Sequence, residues 1–262
     1  MKIHYNNPNF KKLNEEGYKV VDMHLHSNNS IDCKTKIKEI VDLAKRKNIG
    51  IAVTDHNTIK GCLEVSKYNV FLIPAIEVSC KEGCHMLVYF YNINELKKFF
   101  NKHIKNNMYN KMRTRLTHKN LIKISKKYEC IISAAHPFGG GRSGVYKIKD
   151  HADLKIVEGL NGGIFNYMNN KISKLKNKKY TGGSDAHVSE NIGRVVTCAK
   201  ANTVKEFLDA IKKDENFIIG NGLNFFDKIL NMLKKEGSLI RNINIKDYIN
   251  NRLVSLGLKN EA

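Results

Sequence analysis

Short apolar runs alternate along the chain with stretches whose apolar residues recur every three or four positions. Val20-Val21-Asp22-Met23 and Gly50-Ile51-Ala52-Val53-Thr54 predict strands over 18–23 and 50–54. Between them Ile37, Ile40, Val41 and Ala44 have the spacing of an amphipathic helix over 35–47. Thr35 is its expected cap, and Asn48 with Gly50 its stop. The same patterns predict strands at 71–76, 85–91, 130–135, 155–157, 180–184, 195–198 and 217–219. Helices are expected over 94–127, with a break near Asn106-Asn107, and over 168–177 and 203–213. Residues 1–17 are a polar lead-in. Residues 223–262 are expected to form a helical tail in which Phe225, Phe226, Ile229, Leu230 and Leu233 make an apolar stripe.

Strand-then-helix repetition with nearly continuous apolar strands predicts an α/β protein whose parallel sheet is covered on both faces. Its titratable side chains gather where the predicted strands end. His24 and His26 follow the first strand, Asp55 and His56 the second, and Glu77 the third. His85 opens the next strand, His136 and Asp185 follow later ones, and Asp32 and His187 lie in adjoining turns. Alternate side chains of a strand share a face, so His24 and His26 point the same way. Candidates spread over so many strand ends suit a closed ring with chemistry at its rim. A doubly wound sheet would concentrate them at one switch point. The predicted plan is a lead-in at 1–17, a barrel over 18–222 and a helical tail at 223–262.

A mixed imidazole and carboxylate set suits zinc, manganese or iron. Nine such groups exceed the needs of one ion, so two or three divalent ions sharing a bridging carboxylate are expected. Two metals ~3.5–4 Å apart generate a hydroxide and stabilise both oxygens of a phosphoryl displacement. No Walker-type phosphate loop is present.

Lys and Arg number 45 against 25 Asp and Glu, a net charge of +20, which favours anionic partners such as phosphates or nucleic acid. The lysines are spread along the whole chain, so they mark no single binding patch. No run approaches the ~20 apolar residues of a membrane span, and no apolar leader opens the chain. The expected compartment is the cytoplasm, where the six scattered cysteines would be free thiols. Cys80 and Cys84, beside the Glu77 strand, are a further pair of metal donors, although no second cysteine pair has zinc-site spacing.

The ordered series His24-x-His26, Thr54-Asp55-His56, Glu77 with His85, Ala135-His136-Pro137 and Gly183-Ser184-Asp185-Ala186-His187 resembles the polymerase-and-histidinol-phosphatase (PHP) family. The resemblance runs from about residue 20 to 220. It implies a distorted (β/α)7 TIM-like barrel with a trinuclear metal centre for phosphoester hydrolysis. Carried over by position, His24, His26, Glu77 and Asp185 would bind one metal, and Glu77 would bridge to a second held by His85 and His136. Asp32, His56 and His187 would form the third set, though Ile31 separates Ser30 from Asp32 where the family's acidic residue often follows its serine directly. Asp55 would be an outer carboxylate that orients a ligand, or simply a capping residue after its strand.

Arg142, after Gly139-Gly140-Gly141, and Arg194, after the His187 turn, are candidates for gripping substrate phosphate, with surface ion pairing as the alternative. Asn161 is a further rim candidate, and His4, His103, His118 and His151 fall outside the pattern. The expected activity is metal-dependent hydrolysis of a phosphate ester, of nucleotide or short-oligonucleotide type. Histidinol-phosphate hydrolysis is the alternative within enzymes. An RNA-binding scaffold without catalysis is the alternative of another class, and the intact ligand series opposes it.

Overall fold

A computed structural model describes residues 3–110, 112–139, 144 and 154–224. The chain divides into two compact units, Met1–Leu223 and Asn224–Ala262. The expected tail stripe and Arg142 lie outside the described residues.

In chain order the elements are β1 (Ile3–His4), α1 (Phe10–Glu15), β2 (Lys19–Leu25), α2 (Ile37–Lys47), β3 (Gly50–Val53) and α3 (Lys60–Val65). They continue with β4 (Ala75–Ser79), β5 (His85–Phe90), α4 (Ile93–Phe99), β6 (Met108–Asn110), β7 (Arg113–Thr114) and α5 (His118–Ser125). The last are β8 (Cys130–Ala134), β9 (Ile156–Asn161), α6 (Asn166–Asn169), β10 (Lys179–Gly183), β11 (Val195–Ala199), α7 (Val204–Lys213) and β12 (Asn216–Gly220).

Two five-stranded sheets carry the fold, in the orders β1-β12-β11-β2-β3 and β10-β9-β8-β5-β4. Both are mixed. The β2–β3, β1–β12, β8–β9 and β9–β10 pairs are parallel, whereas β2–β11, β11–β12, β4–β5 and β5–β8 are antiparallel. The wholly parallel sheet expected from the apolar strands is therefore not formed. Strands buried on both faces are apolar throughout whatever their direction, so the pattern could not report it. Among the described residues the ladders do not close into a barrel. The sheets meet through isolated bridges, Ile51↔Leu72 and His56↔Glu77 at one seam and Leu25↔Ala186 at the other. The architecture is mixed α/β.

Local chemistry explains most of the elements. The Ile37, Ile40, Val41 and Ala44 stripe of α2 is buried, and Asn48 ends the helix in a left-handed conformation. Thr35 does not cap it: the cap position is Lys36, with no side-chain hydrogen bond, and the Thr35 hydroxyl donates instead to the His187 carbonyl at 3.4 Å. Thr203 does cap α7, accepting from Glu206 N at 3.1 Å. The lead-in is more ordered than its polarity suggested, since β1 pairs with β12 and Asn9 caps α1. Within 94–127 the break at Asn106-Asn107 is present, but the two-stranded β6–β7 hairpin separates α4 from α5.

A core of Val21, Met23, Ala52, Ala75, Leu87, Tyr89 and Ile131 draws on strands of both sheets. Tyr89 buries its ring there and donates its hydroxyl to the Met23 carbonyl at 2.9 Å. Between Asp22 and Leu25 the β2–β3 register slips by one residue, a bulge in the stretch that carries His24.

Candidate metal centre

Glu77 organises the centre. It sits in the middle of β4 rather than at its end, fully buried, and its two carboxylate oxygens face different imidazoles. Oε2 lies 3.5 Å from His24 Nε2, 3.4 Å from His26 Nε2 and 3.0 Å from His56 Nδ1. Oε1 lies 3.2 Å from His85 Nδ1 and 3.3 Å from His136 Nε2. Asp185 Oδ1 completes the first side, 3.4 Å from His24 Nε2 and 3.2 Å from His26 Nε2. Asp32 Oδ2 stands 2.7 Å from His187 Nε2 and 3.6 Å from His56 Nε2. All nine residues expected as ligands are thus gathered in one place. Side-chain exposure rises from zero at His24, His26 and Glu77 to 31% at Asp32, so the centre opens to solvent on its Asp32 side.

Several groups predispose these side chains. Glu158, on β9, places Oε1 3.0 Å from His24 Nδ1, while its Oε2 accepts from His136 N at 2.6 Å and Asn161 Nδ2 at 2.8 Å. A proton on His24 Nδ1 held by Glu158 leaves the Nε2 lone pair directed at Glu77 and Asp185. His187 Nδ1 likewise approaches the Asp185 carbonyl at 2.9 Å, leaving Nε2 towards Asp32. Asn161 reaches Asp185 Oδ2 at 3.3 Å, which joins it to the centre.

Two buried carboxylate–serine clamps hold the ligand-bearing turns. Asp55 accepts from Ser27 N and Ser27 Oγ, both at 2.7 Å, and so fixes the chain just after His26. Its hydrogen bonds go to that turn and not to an imidazole, so its place is in the framework rather than among the reacting groups. Asp22 accepts from Ser184 Oγ at 2.6 Å, Ser184 N at 2.9 Å and Gly193 N at 2.8 Å, and so fixes the chain just before Asp185. Neither Asp22 nor Glu158 was among the expected site residues. Both are acidic residues on apolar strands, the one signal the sequence offered for either. For Asp22 nothing local distinguished a clamp from a chance polar residue.

The backbone is strained where it carries ligands. His136 has φ +28° and Asp185 φ +51°, left-handed values that non-glycine residues rarely adopt. Close packing sets other positions. A Cβ on Gly183 would stand 2.4 Å from His24 N, and one on Gly61 2.1 Å from Asp55 Oδ2, so both must be glycine.

The electrostatics follow from burial opposed by neighbouring charge. Burial would raise Glu77, but His56, His24 and His85 hold it well below the usual carboxylate range. Asp185 and Asp32 are likewise buried against ionisation, yet His24 and His26 depress the first and hydrogen bonds to His187 and His56 the second. Burial lowers His26 to about 4, aided by the adjacent His187. For His56 burial is outweighed by Glu77 and Asp32, which raise it to about 9. Burial also dominates in the two clamps, pushing Asp22 to about 6 and Asp55 to about 7 against their hydrogen bonds.

The donor set fits divalent cations. Among the described residues, ten buried side-chain nitrogen or oxygen atoms lack a hydrogen-bond partner, and seven of them are here: His24 Nε2, His26 Nδ1 and Nε2, both Glu77 oxygens, His85 Nδ1 and His136 Nδ1. Buried polar atoms left without partners are costly, and a cation among them removes that cost. Donor atoms lie within 4.8 Å of one another in the sets His24–His26–Asp185, His26–Asp32–His56–His187 and His56–Glu77–His85.

Arg194 is committed elsewhere. Its Nε donates to the Asn221 carbonyl and its Nη2 to the Gly222 carbonyl, both at 3.0 Å, tying down the chain after β12. Among the histidines outside the pattern, His4 packs edge-on against Phe217 and His103 meets Tyr128 Oη at 2.8 Å. His118 begins α5 and is only 3% exposed.

Comparison with known proteins follows the same lines. A family model described as PHP-associated matches residues 163–216, which span the Asp185–His187 turn. No curated protein matches the chain. The structure of endonuclease Q in complex with a 27-mer duplex substrate with an abasic lesion at the active site is 21% identical, with a TM-score of 0.62. That match covers 75% of this chain and 57% of the endonuclease chain, so this chain spans little more than half of that protein's length. The lesion-specific endonuclease Q from Pyrococcus furiosus is 20% identical over 94% of this chain and 72% of its own, with a TM-score of 0.64. A two-domain Bacteroides vulgatus protein containing a predicted PHP-like metal-dependent phosphoesterase is 17% identical over 90% of this chain and 74% of its own, with a TM-score of 0.56. The resemblance to the PHP family is met by a family-model match across 163–216 and by a fold shared with endonuclease Q and with a protein containing a predicted PHP-like metal-dependent phosphoesterase.

Proposed function

We propose that this chain is a metal-dependent phosphoesterase of the PHP type, acting on phosphate esters of nucleotides or short oligonucleotides. The carrying observation is Glu77, a buried carboxylate whose two oxygens face separate imidazole groups without a hydrogen bond to either. That arrangement suits a carboxylate bridging two cations.

His24, His26, Glu77 and Asp185 would hold one divalent ion, Glu77, His85 and His136 a second, and Asp32, His56 and His187 a third. Manganese, zinc and iron all suit these donors. Bound there, such ions supply an activated water nucleophile near neutral pH and neutralise charge on the phosphoryl group. The chain's own part is to aim the donors. Glu158 fixes the His24 tautomer, Asn161 and the Asp22–Ser184 clamp steady Asp185, and the Asp55–Ser27 clamp steadies the turn after His26. Because Arg194 is turned to backbone carbonyls, Arg142 is the remaining arginine proposed for substrate phosphate.

The nucleotide-type substrate is favoured by the net charge of +20 and by the duplex bound in the endonuclease Q complex. The distorted (β/α)7 barrel would be built from strands of both sheets, joined through the bridged seams. Among the described residues no helix is long and apolar enough to cross a membrane, and all six cysteines are free thiols, which accords with a reducing cytoplasm.

The test is hydrolysis by the manganese-loaded full chain, with products read by mass spectrometry. The substrates are a nucleoside monophosphate, a nucleoside 3′,5′-bisphosphate, histidinol phosphate, a short RNA and a duplex DNA with an abasic site. Turnover of a nucleotide substrate that vanishes in Asp185→Ala is the expected result. Turnover of histidinol phosphate alone would transfer the assignment to that substrate, and a chain that binds RNA but no metal would overturn it.

A further inference from the structure

A second group of metal donors lies beyond the centre, in the hairpin between β4 and β5. Cys80 N donates to the Cys84 carbonyl at 2.8 Å and Gly83 N to the Cys80 carbonyl at 2.9 Å. Gly83 takes φ +94°, which closes the turn tightly. The turn brings the thiols of Cys80 and Cys84, both fully buried, to the same side. Glu82 folds back over them, and donor atoms of the three residues lie within 4.8 Å of one another. His118, at the start of α5, places Nδ1 3.2 Å from Glu82 Oε1. The other oxygen, Glu82 Oε2, is buried and has no hydrogen-bond partner.

We propose that Cys80, Glu82 and Cys84 bind a thiophilic divalent cation of the zinc class, with His118 orienting Glu82 through Nδ1. A buried carboxylate oxygen with no donor, beside two thiols that are weak donors at best, is an unfavourable arrangement without a cation. Two sulfurs and a carboxylate are donors that zinc takes, with water as the fourth tetrahedral ligand, and an imidazole hydrogen-bonded to a ligand is a common outer support. The other buried cysteines make a useful contrast. Cys62 packs in the same apolar core as Cys80 and Cys84 yet belongs to no such donor group among the described residues.

The site would act as a staple. Lys81 N donates to the Leu116 carbonyl at 2.8 Å and Thr114 Oγ1 to the Ser79 carbonyl at 3.0 Å, so the turn already adjoins β7 and the segment leading to α5. A cation there would lock that junction three residues from Glu77. Ser79 Oγ also stands 3.4 Å from His56 Nδ1, so the staple borders the main centre without sharing a ligand with it.

Cobalt substitution separates the two sites, because thiolate–cobalt charge-transfer absorption in the near ultraviolet cannot arise from imidazole and carboxylate ligands. The full chain is stripped of metal, titrated with Co2+ and followed in that region. The expected result is a thiolate band that saturates under excess Co2+ at the intensity of one thiolate-bound ion per chain, persists in Cys33→Ser and is lost in Cys80→Ser/Cys84→Ser. Peptide mapping after alkylation gives an answer even if the double variant does not fold. In the wild-type chain held in urea below its unfolding midpoint, so that buried thiols are sampled, Zn2+ should slow alkylation of Cys80 and Cys84 by iodoacetamide relative to Cys62, and chelator should remove that difference. Absence of the band in wild type, its survival in the double variant, or alkylation of Cys80 and Cys84 indifferent to Zn2+ would each overturn the proposal. None of these readouts requires turnover, so a failure here is distinct from a failure of the phosphoesterase reading.

Discussion

Glu77 and Cys80 stand three residues apart on one stretch of chain, yet the groups gathered around them come from very different distances. Glu77 is met by His24 and His26 from the end of β2, by His56 from the β3 seam, by His85 from the adjacent β5, and by His136 from just after β8, one strand further in the same sheet. Cys80 is met by Glu82 and Cys84 from its own turn, with His118 reaching Glu82 from farther along the chain. A short loop costs little entropy to close, whereas gathering donors spread along most of the chain requires the whole fold. The first group is therefore coupled to global stability and to the clamps that hold its turns. The second is largely preformed by one hairpin. Their chemistry differs in the same sense, with hard nitrogen and oxygen donors in the long-range site and soft sulfur donors in the local one.

Four substitutions probe this contrast. Glu77→Gln should have the largest effect, removing the charge that faces five imidazoles. Metal-dependent hydrolysis is expected to fall by more than ~100-fold, beyond what loss of an outer partner usually costs. Metal content measured on the same preparation should fall with it, and activity near wild type would dissociate the centre from catalysis. Glu158→Gln comes next. It keeps the shape but weakens the hold on His24 Nδ1, so metal affinity should drop ~10–100-fold by calorimetric titration. The cobalt–thiolate band at the hairpin should be unaffected by either change.

Ser184→Ala removes a hydroxyl that donates to the buried Asp22 carboxylate at 2.6 Å. Hydrogen bonds to charged groups contribute about 1.5–3 kcal/mol, so the urea midpoint should shift by a corresponding amount. An unchanged midpoint would mean that the clamp on the Asp185 turn is not holding it. The smallest effect is expected from Arg194→Ala, at about 1 kcal/mol of stability with KM unchanged, because the guanidinium is spent on the carbonyls of Asn221 and Gly222. A large rise in KM would instead return this arginine to the substrate.

What could be read without a structure followed a pattern. The strands 18–23, 50–54, 85–91 and 130–135 and the stripe of α2 were visible because burial imposes a period on apolar residues. The imidazole and carboxylate cluster was visible because such groups recur after several apolar strands, in an order that resembles the PHP family. Strand direction was hidden, since β5 and β8 are as apolar antiparallel as they would be parallel. Thr35 looked like a cap because caps are local, but the His187 carbonyl, far along the chain, takes its hydroxyl.

The sequence alone determined which residue types were available for metal chemistry and roughly where along the chain each would emerge. Only the tertiary structure decided that Glu77 divides its oxygens between two sets of imidazoles, that Asp22 and Asp55 clamp serines, and that Glu158 stands behind His24. Local periodicity reports burial and little else. The partner of a buried polar atom is set by chain crossings tens of residues apart, and no local pattern encodes which crossing will bring a carboxylate to an imidazole.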